Sequence, residues 1–140
     1  MNDKLIDTNI LVYAYDTSEG IKHLSSRELL KSVWEEGGGI VCLQNLIEFF
    51  VVITKKVENP ISIVVAKTII EDILKSKNGK ILDRDADTLL KAIDITSEYR
   101  IHLWDALIVA CMEENDILEI VTENKIDFER IPEIKVTIPF

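Results

Sequence analysis

The stretch LWDALIVACM, residues 103–112, decides the fold because it is apolar on almost every side of a helix. We predict this helix from Trp104 to Glu114, and a helix without a polar face belongs at the centre of a protein. Asp105 interrupts the stretch near its beginning. A buried, isolated carboxylate usually protonates or acquires a cation, so Asp105 is a candidate functional residue.

Short apolar runs alternate with helical patterns along the rest of the chain, which indicates βαβ units around a parallel sheet. A length of 140 residues suits one domain spanning residues 1–140. We therefore predict a three-layer α/β/α domain with a parallel sheet of about five strands. The predicted strands are Lys4–Asp7, Gly39–Leu43, Lys80–Asp83, Leu118–Glu123 and Lys135–Ile138.

Four further helices are predicted from apolar periodicity and from their end signals. The first begins at serine caps and ends at the three glycines of residues 37–39, and Pro60 separates the next two. These helices are Ser25–Glu36, Leu43–Val57, Ser62–Ser76 and Arg84–Arg100. In the last of them, the side chains predicted to face the core are Ala86, Leu89, Leu90 and Ile93.

The composition is that of a folding globular protein, with 47% hydrophobic and 29% charged residues. The net charge of -9 argues against a broad basic surface for nucleic acid, unless metal ions or a basic partner reverse the charge locally. Cys42 and Cys111 lie in apolar runs and are predicted to be reduced core thiols, as in the cytoplasm. We expect neither a signal peptide nor a membrane-spanning segment.

Three carboxylates interrupt the most hydrophobic stretches of the chain, namely Asp7, Glu48 and Asp105. Each has a simpler explanation: Asp7 and Asp105 could cap helices, and Glu48 could point to solvent. In a parallel sheet, however, sites form outside the carboxyl ends of the strands, where all three are predicted to lie. Clustered carboxylates without histidine or cysteine suit Mg²⁺ or Mn²⁺.

The acidic run DRDAD, residues 83–87, has a different interpretation. It resembles the start of a calcium-binding loop, but Thr88 stands where such a loop needs glycine and Asp94 stands where it needs glutamate. We predict instead that these acidic residues mark the N-terminus of a helix.

Four blocks of the sequence together resemble a PIN domain, in the usual order and spacing. They are LIDTNIL (residues 5–11), VCLQNLIEFFVVI (41–53), LWDALIVAC (103–111) and IVTENKIDFERI (120–131). The blocks span almost the whole chain. Its length and its LIDTN start are most similar to the VapC-type toxins of prokaryotic toxin–antitoxin pairs, although housekeeping PIN ribonucleases share the same blocks.

The resemblance assigns metal binding to Asp7, Glu48 and Asp105, with Thr8 or Asn9 supporting the first block. Glu48 is expected to double as the base that orients water. The implied activity is endonucleolytic cleavage of RNA with Mg²⁺ or Mn²⁺. The implied partners of such a toxin are an antitoxin that covers the acidic groove and a second copy of the chain in a homodimer.

The fourth block departs from the family pattern. Two residues after Thr122, where relatives commonly carry an aspartate, this chain has Asn124. We predict that Asp127 partly substitutes as a metal ligand, with Thr122 and Asn124 in supporting positions.

Two alternatives stay open at this point. A PIN-like module could bind RNA or protein after losing catalysis through Asn124. A phospho-acceptor signalling domain would also place a Mg²⁺-binding acidic pocket at the strand ends, but this chain has no adjacent acidic pair after its first strand.

Overall fold

The computed structural model describes residues 3–140, which fold into five strands and seven helices. The strands are β1 (Lys4–Ile6), β2 (Gly39–Cys42), β3 (Gly79–Leu82), β4 (Glu119–Val121) and β5 (Lys135–Thr137). The helices are α1 (Thr8–Tyr15), α2 (Ile21–Glu36), α3 (Leu43–Lys55), α4 (Ile63–Lys75), α5 (Ala86–Tyr99), α6 (Leu103–Glu114) and α7 (Lys125–Phe128). A 3-10 turn, Thr17–Glu19, joins α1 to α2.

The five strands form one parallel sheet in the order β3-β2-β1-β4-β5, which confirms the predicted architecture. In the register of the central strand, Leu5 lies opposite Ile40 of β2 and Ile120 of β4. The chain proceeds outward from β1 in one direction through β2 and β3, and in the other through β4 and β5. The strand order therefore reverses at β1, and a crevice is expected at its carboxyl end.

Helices cover both faces of the sheet. Successive strand residues point to opposite sides, and the strands carry apolar side chains on both. In β1, Leu5 enters the core cluster that contains α6, whereas Ile6 enters the cluster that contains α1, α3 and α4. All residues of α6 from Ala106 to Met112 are buried, which confirms its central position. Cys42 and Cys111 are both buried, as predicted.

The predicted start of α2 at Ser25 was wrong, since the helix begins four residues earlier at Ile21. Gly20 precedes it with a φ of 58°, a left-handed conformation that glycine adopts without strain. Ile21 and Leu24 in the first turn are largely exposed. The apolar periodicity of the sequence therefore did not indicate the first turn of α2, because the apolar side chains of this turn do not face the core.

The predicted buried face of α5 was also wrong. Leu89, Leu90 and Ile93 are exposed, as is Ala86, and the buried side chains are those of Thr88, Ala92 and Ile95. These side chains belong to the face that packs against α6, and Thr88 also donates a hydrogen bond to Glu114 of α6. The acidic run before α5 does mark a helix N-terminus, because Asp85 accepts a hydrogen bond from the backbone N–H of Thr88.

Among residues 3–140, no helix is long and apolar enough to cross a membrane.

Candidate metal centre

Asp7 lies at the carboxyl end of β1 and is 7% exposed. Its carboxylate accepts hydrogen bonds from the backbone N–H of Thr8 (2.8 Å), the hydroxyl of Thr122 (2.7 Å) and the amide of Asn9 (3.4 Å). Burial raises the pKa of Asp7, and the hydrogen bonds from Thr122, Thr8 and Asn9 oppose this rise. Asp7 therefore caps α1, and the same carboxylate also connects β1 to β4.

Asn45 is a buried member of this network that sequence reasoning missed. Its side-chain oxygen accepts the backbone N–H of Cys42 (2.9 Å), and its amide nitrogen approaches the hydroxyl of Thr8 (3.1 Å) and Oδ1 of Asp7 (3.5 Å). Asn45 thus connects the start of α3 to the first block. The sequence did offer one signal for Asn45, since it occupies the third position of the helix, where a side chain can bond back to the capping residue.

Glu48 lies on the second turn of α3, and its side chain is exposed, as in the simpler explanation that it points to solvent. The protein around its carboxylate excludes part of the water and raises its pKa, and the negative charge of Asp7 raises it further. A hydrogen bond from Gln44 and the positive charge of Arg84 oppose this rise. The charge of Asp7 therefore acts on Glu48, beside the carboxyl ends of the adjacent strands β1 and β2.

Asp105 lies in the first turn of α6 and is partly buried. Burial is the main reason that its pKa rises to about 7, and the negative charge of Asp7 is the next. A hydrogen bond to Asp127 and the charge of that residue add to the rise, while His102 opposes it. The helix cap is His102 rather than Asp105, so the capping alternative was wrong for this residue.

The fourth block lies against both Asp7 and Asp105. The hydroxyl of Thr122, which is fully buried, bonds to Asp7 and accepts the backbone N–H of Asn124 (2.9 Å). The side-chain amide of Asn124 donates to Oδ2 of Asp105 and to Oδ2 of Asp127, each at 3.2 Å. Asp127 therefore lies beside Asp105, with Asn124 between the two carboxylates.

Asn9 supports the first block, but the neighbouring Glu123 has a separate environment. The side-chain oxygen of Asn9 accepts the backbone N–H of Glu123 (3.2 Å). The carboxylate of Glu123 bonds to the hydroxyl of Tyr13 and to the ammonium of Lys22. Burial and the bond to Glu123 raise the pKa of Tyr13 to about 12. Glu123 is therefore neutralised by partners other than the candidate ligands.

The donors present suit a hard divalent cation. Carboxylate and amide oxygens lie near the carboxyl end of β1, and oxygen ligands of this kind are those that Mg²⁺ and Mn²⁺ prefer. The raised pKa values of Asp105 and Glu48 both include repulsion from Asp7, which a cation would relieve. In the part of the chain that the structure describes, no three carboxylates, imidazoles or thiols already converge as a closed ligand shell. The donor chemistry thus fits a cation, whereas the side chains are not arranged around one.

Solved structures with a similar fold are toxin–antitoxin proteins. A toxin–antitoxin complex from Klebsiella pneumoniae is 22% identical, with a TM-score of 0.71 and coverage of 99% of this chain and 98% of that chain. VapBC2 from Rickettsia felis, bound to a promoter DNA fragment, is 19% identical, with a TM-score of 0.68 and coverage of 96% of each chain. The sarcin–ricin loop cleaving toxin VapC20 from Mycobacterium tuberculosis is 13% identical, with a TM-score of 0.69 and coverage of 91% of this chain and 94% of that chain.

No curated protein matches this sequence significantly. The family model described as PIN domain matches residues 4–134, which is nearly the whole chain. The same range contains all four sequence blocks and every residue of the candidate centre. The chain belongs to the PIN domain family.

Proposed function

We propose that this protein is a Mg²⁺- or Mn²⁺-dependent endoribonuclease that hydrolyses phosphodiester bonds of RNA. The observation that carries the proposal is the placement of Asp7, Glu48 and Asp105, from three different elements, around the carboxyl end of the central strand of a PIN fold. Strand ends at such a reversal point are where α/β proteins bind ligands.

Asp7 and Asp105 are the proposed principal metal ligands, with Glu48 and Asp127 completing the acidic set. A divalent ion bound there supplies Lewis acidity and offsets negative charge on the phosphate. Glu48 orients the attacking water and accepts its proton, because its carboxylate is exposed to solvent and its raised pKa makes it a better base. Thr122 and Asn45 hold Asp7 in place through hydrogen bonds.

Asn124 makes a second tightly held ion less favourable. An amide can coordinate through its oxygen but contributes no charge. Here its nitrogen donates to both Asp105 and Asp127. Asp127 would support an ion held beside Asp105, and a second ion would be bound less tightly than the first.

We propose further that the enzyme is the toxin of a toxin–antitoxin pair and acts in the cytoplasm as a homodimer. The fold is shared with complexes of toxin and antitoxin from Klebsiella pneumoniae and Rickettsia felis. An acidic crevice in a chain of net charge -9 is complementary to a basic segment of a small antitoxin.

A cleavage assay tests the activity directly. Wild-type protein should cut single-stranded RNA at internal positions with Mg²⁺ or Mn²⁺ and should be inactive in EDTA. Asp7→Asn and Asp105→Asn should both be inactive although folded, whereas Asp94→Asn, which removes an exposed carboxylate of α5, should be as active as wild type. If Asp7→Asn or Asp105→Asn retained full activity, the centre would be misassigned.

Two further outcomes separate the alternatives. Metal-dependent RNA binding without cleavage would favour a binding module whose catalysis was lost through Asn124. Growth arrest on expression, relieved by the small protein encoded beside this one, is expected of a toxin, whereas a housekeeping ribonuclease should cause no such arrest.

A further inference from the structure

Trp104 is unusual because it is a large aromatic side chain that the fold leaves in solvent beside the candidate centre. It precedes Asp105 in the first turn of α6 and is 60% exposed, whereas the residues that follow Asp105 in this helix, up to Met112, are buried. The guanidinium of Arg84 lies over the indole ring, 5.8 Å from its centroid. Together the two side chains present an aromatic surface and a positive charge.

Gln44 connects this pair to the crevice. Its side-chain oxygen accepts a hydrogen bond from Arg84, and its nitrogen donates to the backbone carbonyl of Trp104 (3.1 Å). The side chain of Gln44 is buried, and Gln44 lies one turn before Glu48 on α3. Gln44 thus links Arg84 and the backbone of Trp104 to α3, the helix that carries Glu48.

The charge of Arg84 can offset the repulsion that a phosphate meets at this place. A phosphate group that approaches Asp7, Glu48 and Asp105 is repelled by them, and Arg84 is bonded to Gln44, which lies one turn before Glu48 on α3. Arg84 is exposed, and a guanidinium has five N–H donors, so donors beyond the one bound to Gln44 are free for a phosphate.

We infer that Trp104 and Arg84 form a subsite for one unpaired nucleotide of single-stranded RNA, next to the phosphate that is cleaved. The base stacks on the indole of Trp104, and the phosphate of that nucleotide pairs with Arg84. Bases within a duplex are already stacked and cannot use such a surface, so the subsite selects single-stranded segments. This inference rests on the proposed function and names its substrate-binding residues.

Steady-state cleavage of a mixed-sequence single-stranded RNA tests the subsite. Trp104→Ala should raise KM roughly ten-fold or more with a smaller change in kcat, since stacking of one base contributes to binding rather than to chemistry. Trp104→Phe keeps an aromatic ring and should recover most of the affinity. Leu90→Ala, which removes an equally exposed apolar side chain from α5, should leave KM unchanged.

Arg84 is tested by salt dependence. Arg84→Ala should weaken RNA binding and make it less sensitive to salt, because one phosphate contact is lost. Arg84→Lys keeps the charge and should retain most of that salt dependence.

Fluorescence gives a direct readout of stacking. In a Trp34→Phe background Trp104 is the sole tryptophan, and its emission should be quenched by a nuclease-resistant phosphorothioate single strand but much less by the same sequence as a duplex.

The possible failures are distinguishable. If wild type cleaved RNA and Trp104→Ala had the same KM without quenching in the reporter, the inference would be overturned and the proposed function would stand. If Trp104→Ala kept its RNA affinity but lost self-association or antitoxin binding, Trp104 would be a protein contact and the inference would again fall. A wild-type protein that neither bound nor cleaved RNA would refute both.

Discussion

Replacing Asp105 by asparagine should stabilise the metal-free protein at alkaline pH. The ordinary pKa of 3.8 rises to about 7 in the folded protein, mainly through burial and next through the charge of Asp7. Between these values the folded state holds a proton that the unfolded chain releases, so stability falls as pH rises from about 4 to 7. At about 1.4 kcal/mol for each factor of ten in proton affinity, the full loss has an upper bound on the order of 4 kcal/mol, and solvent screening of this partly buried carboxylate makes the loss smaller.

The assay is urea unfolding in EDTA at pH 5 and pH 8, with the free energy of unfolding compared between variants. The free energy of unfolding of Asp105→Asn should exceed that of wild type by about 2–4 kcal/mol at pH 8, and by less than about 2 kcal/mol at pH 5, where the wild-type carboxyl is largely protonated. Asp94→Asn is the matched control, and it should change stability by less than about 0.5 kcal/mol at either pH.

The reasoning would be refuted by a variant that is no more stable than wild type at pH 8, or by an equal gain at both pH values. Either result would mean that Asp105 ionises in the fold without an electrostatic cost. Added Mg²⁺ extends the test, because a cation that binds only the folded state should stabilise wild type more than Asp105→Asn.

Three further predictions concern the same centre. Asn124→Asp adds a negative charge and should lower the Mg²⁺ or Mn²⁺ concentration needed for half-maximal cleavage. Asp127→Asn should raise that concentration, on the order of ten-fold if Asp127 is a ligand or positions one. An unchanged metal requirement in Asp127→Asn would remove that residue from the site. Divalent ions should strengthen the binding of a nuclease-resistant RNA to the protein, as measured by fluorescence anisotropy. Tight RNA binding in EDTA would contradict the idea that the acidic site needs a cation before it can bind RNA. Asn45→Ala should lower the free energy of unfolding in urea by about 1–3 kcal/mol, because the backbone N–H of Cys42 and the hydroxyl of Thr8 lose their hydrogen bonds. An unchanged urea midpoint would show that water replaces the amide.

The sequence by itself predicted the five strands and the longer helices and suggested the acidic residues of the proposed centre, whereas the short helices α1 and α7 were not predicted. Strand and helix patterns depend on near neighbours in the chain. The bounds of the five strands and of the central helix that carries Asp105 were therefore predicted within one or two residues, whereas the predicted start of α2 was wrong. A carboxylate inside an apolar run is costly wherever the run packs, which is why Asp7 and Asp105 could be proposed as functional residues without a structure.

The tertiary structure alone decided the order of the strands, the buried face of α5 and the partners of the carboxylates. Leu90 looked more suitable for the core than Ala92, but the close approach of α5 to α6 favours the smaller side chain. The contacts of Asn45 with Asp7 and of Gln44 with Trp104 join residues 38 and 60 positions apart. Such contacts depend on which chain segments the sheet brings together, and no local pattern in the sequence records that choice.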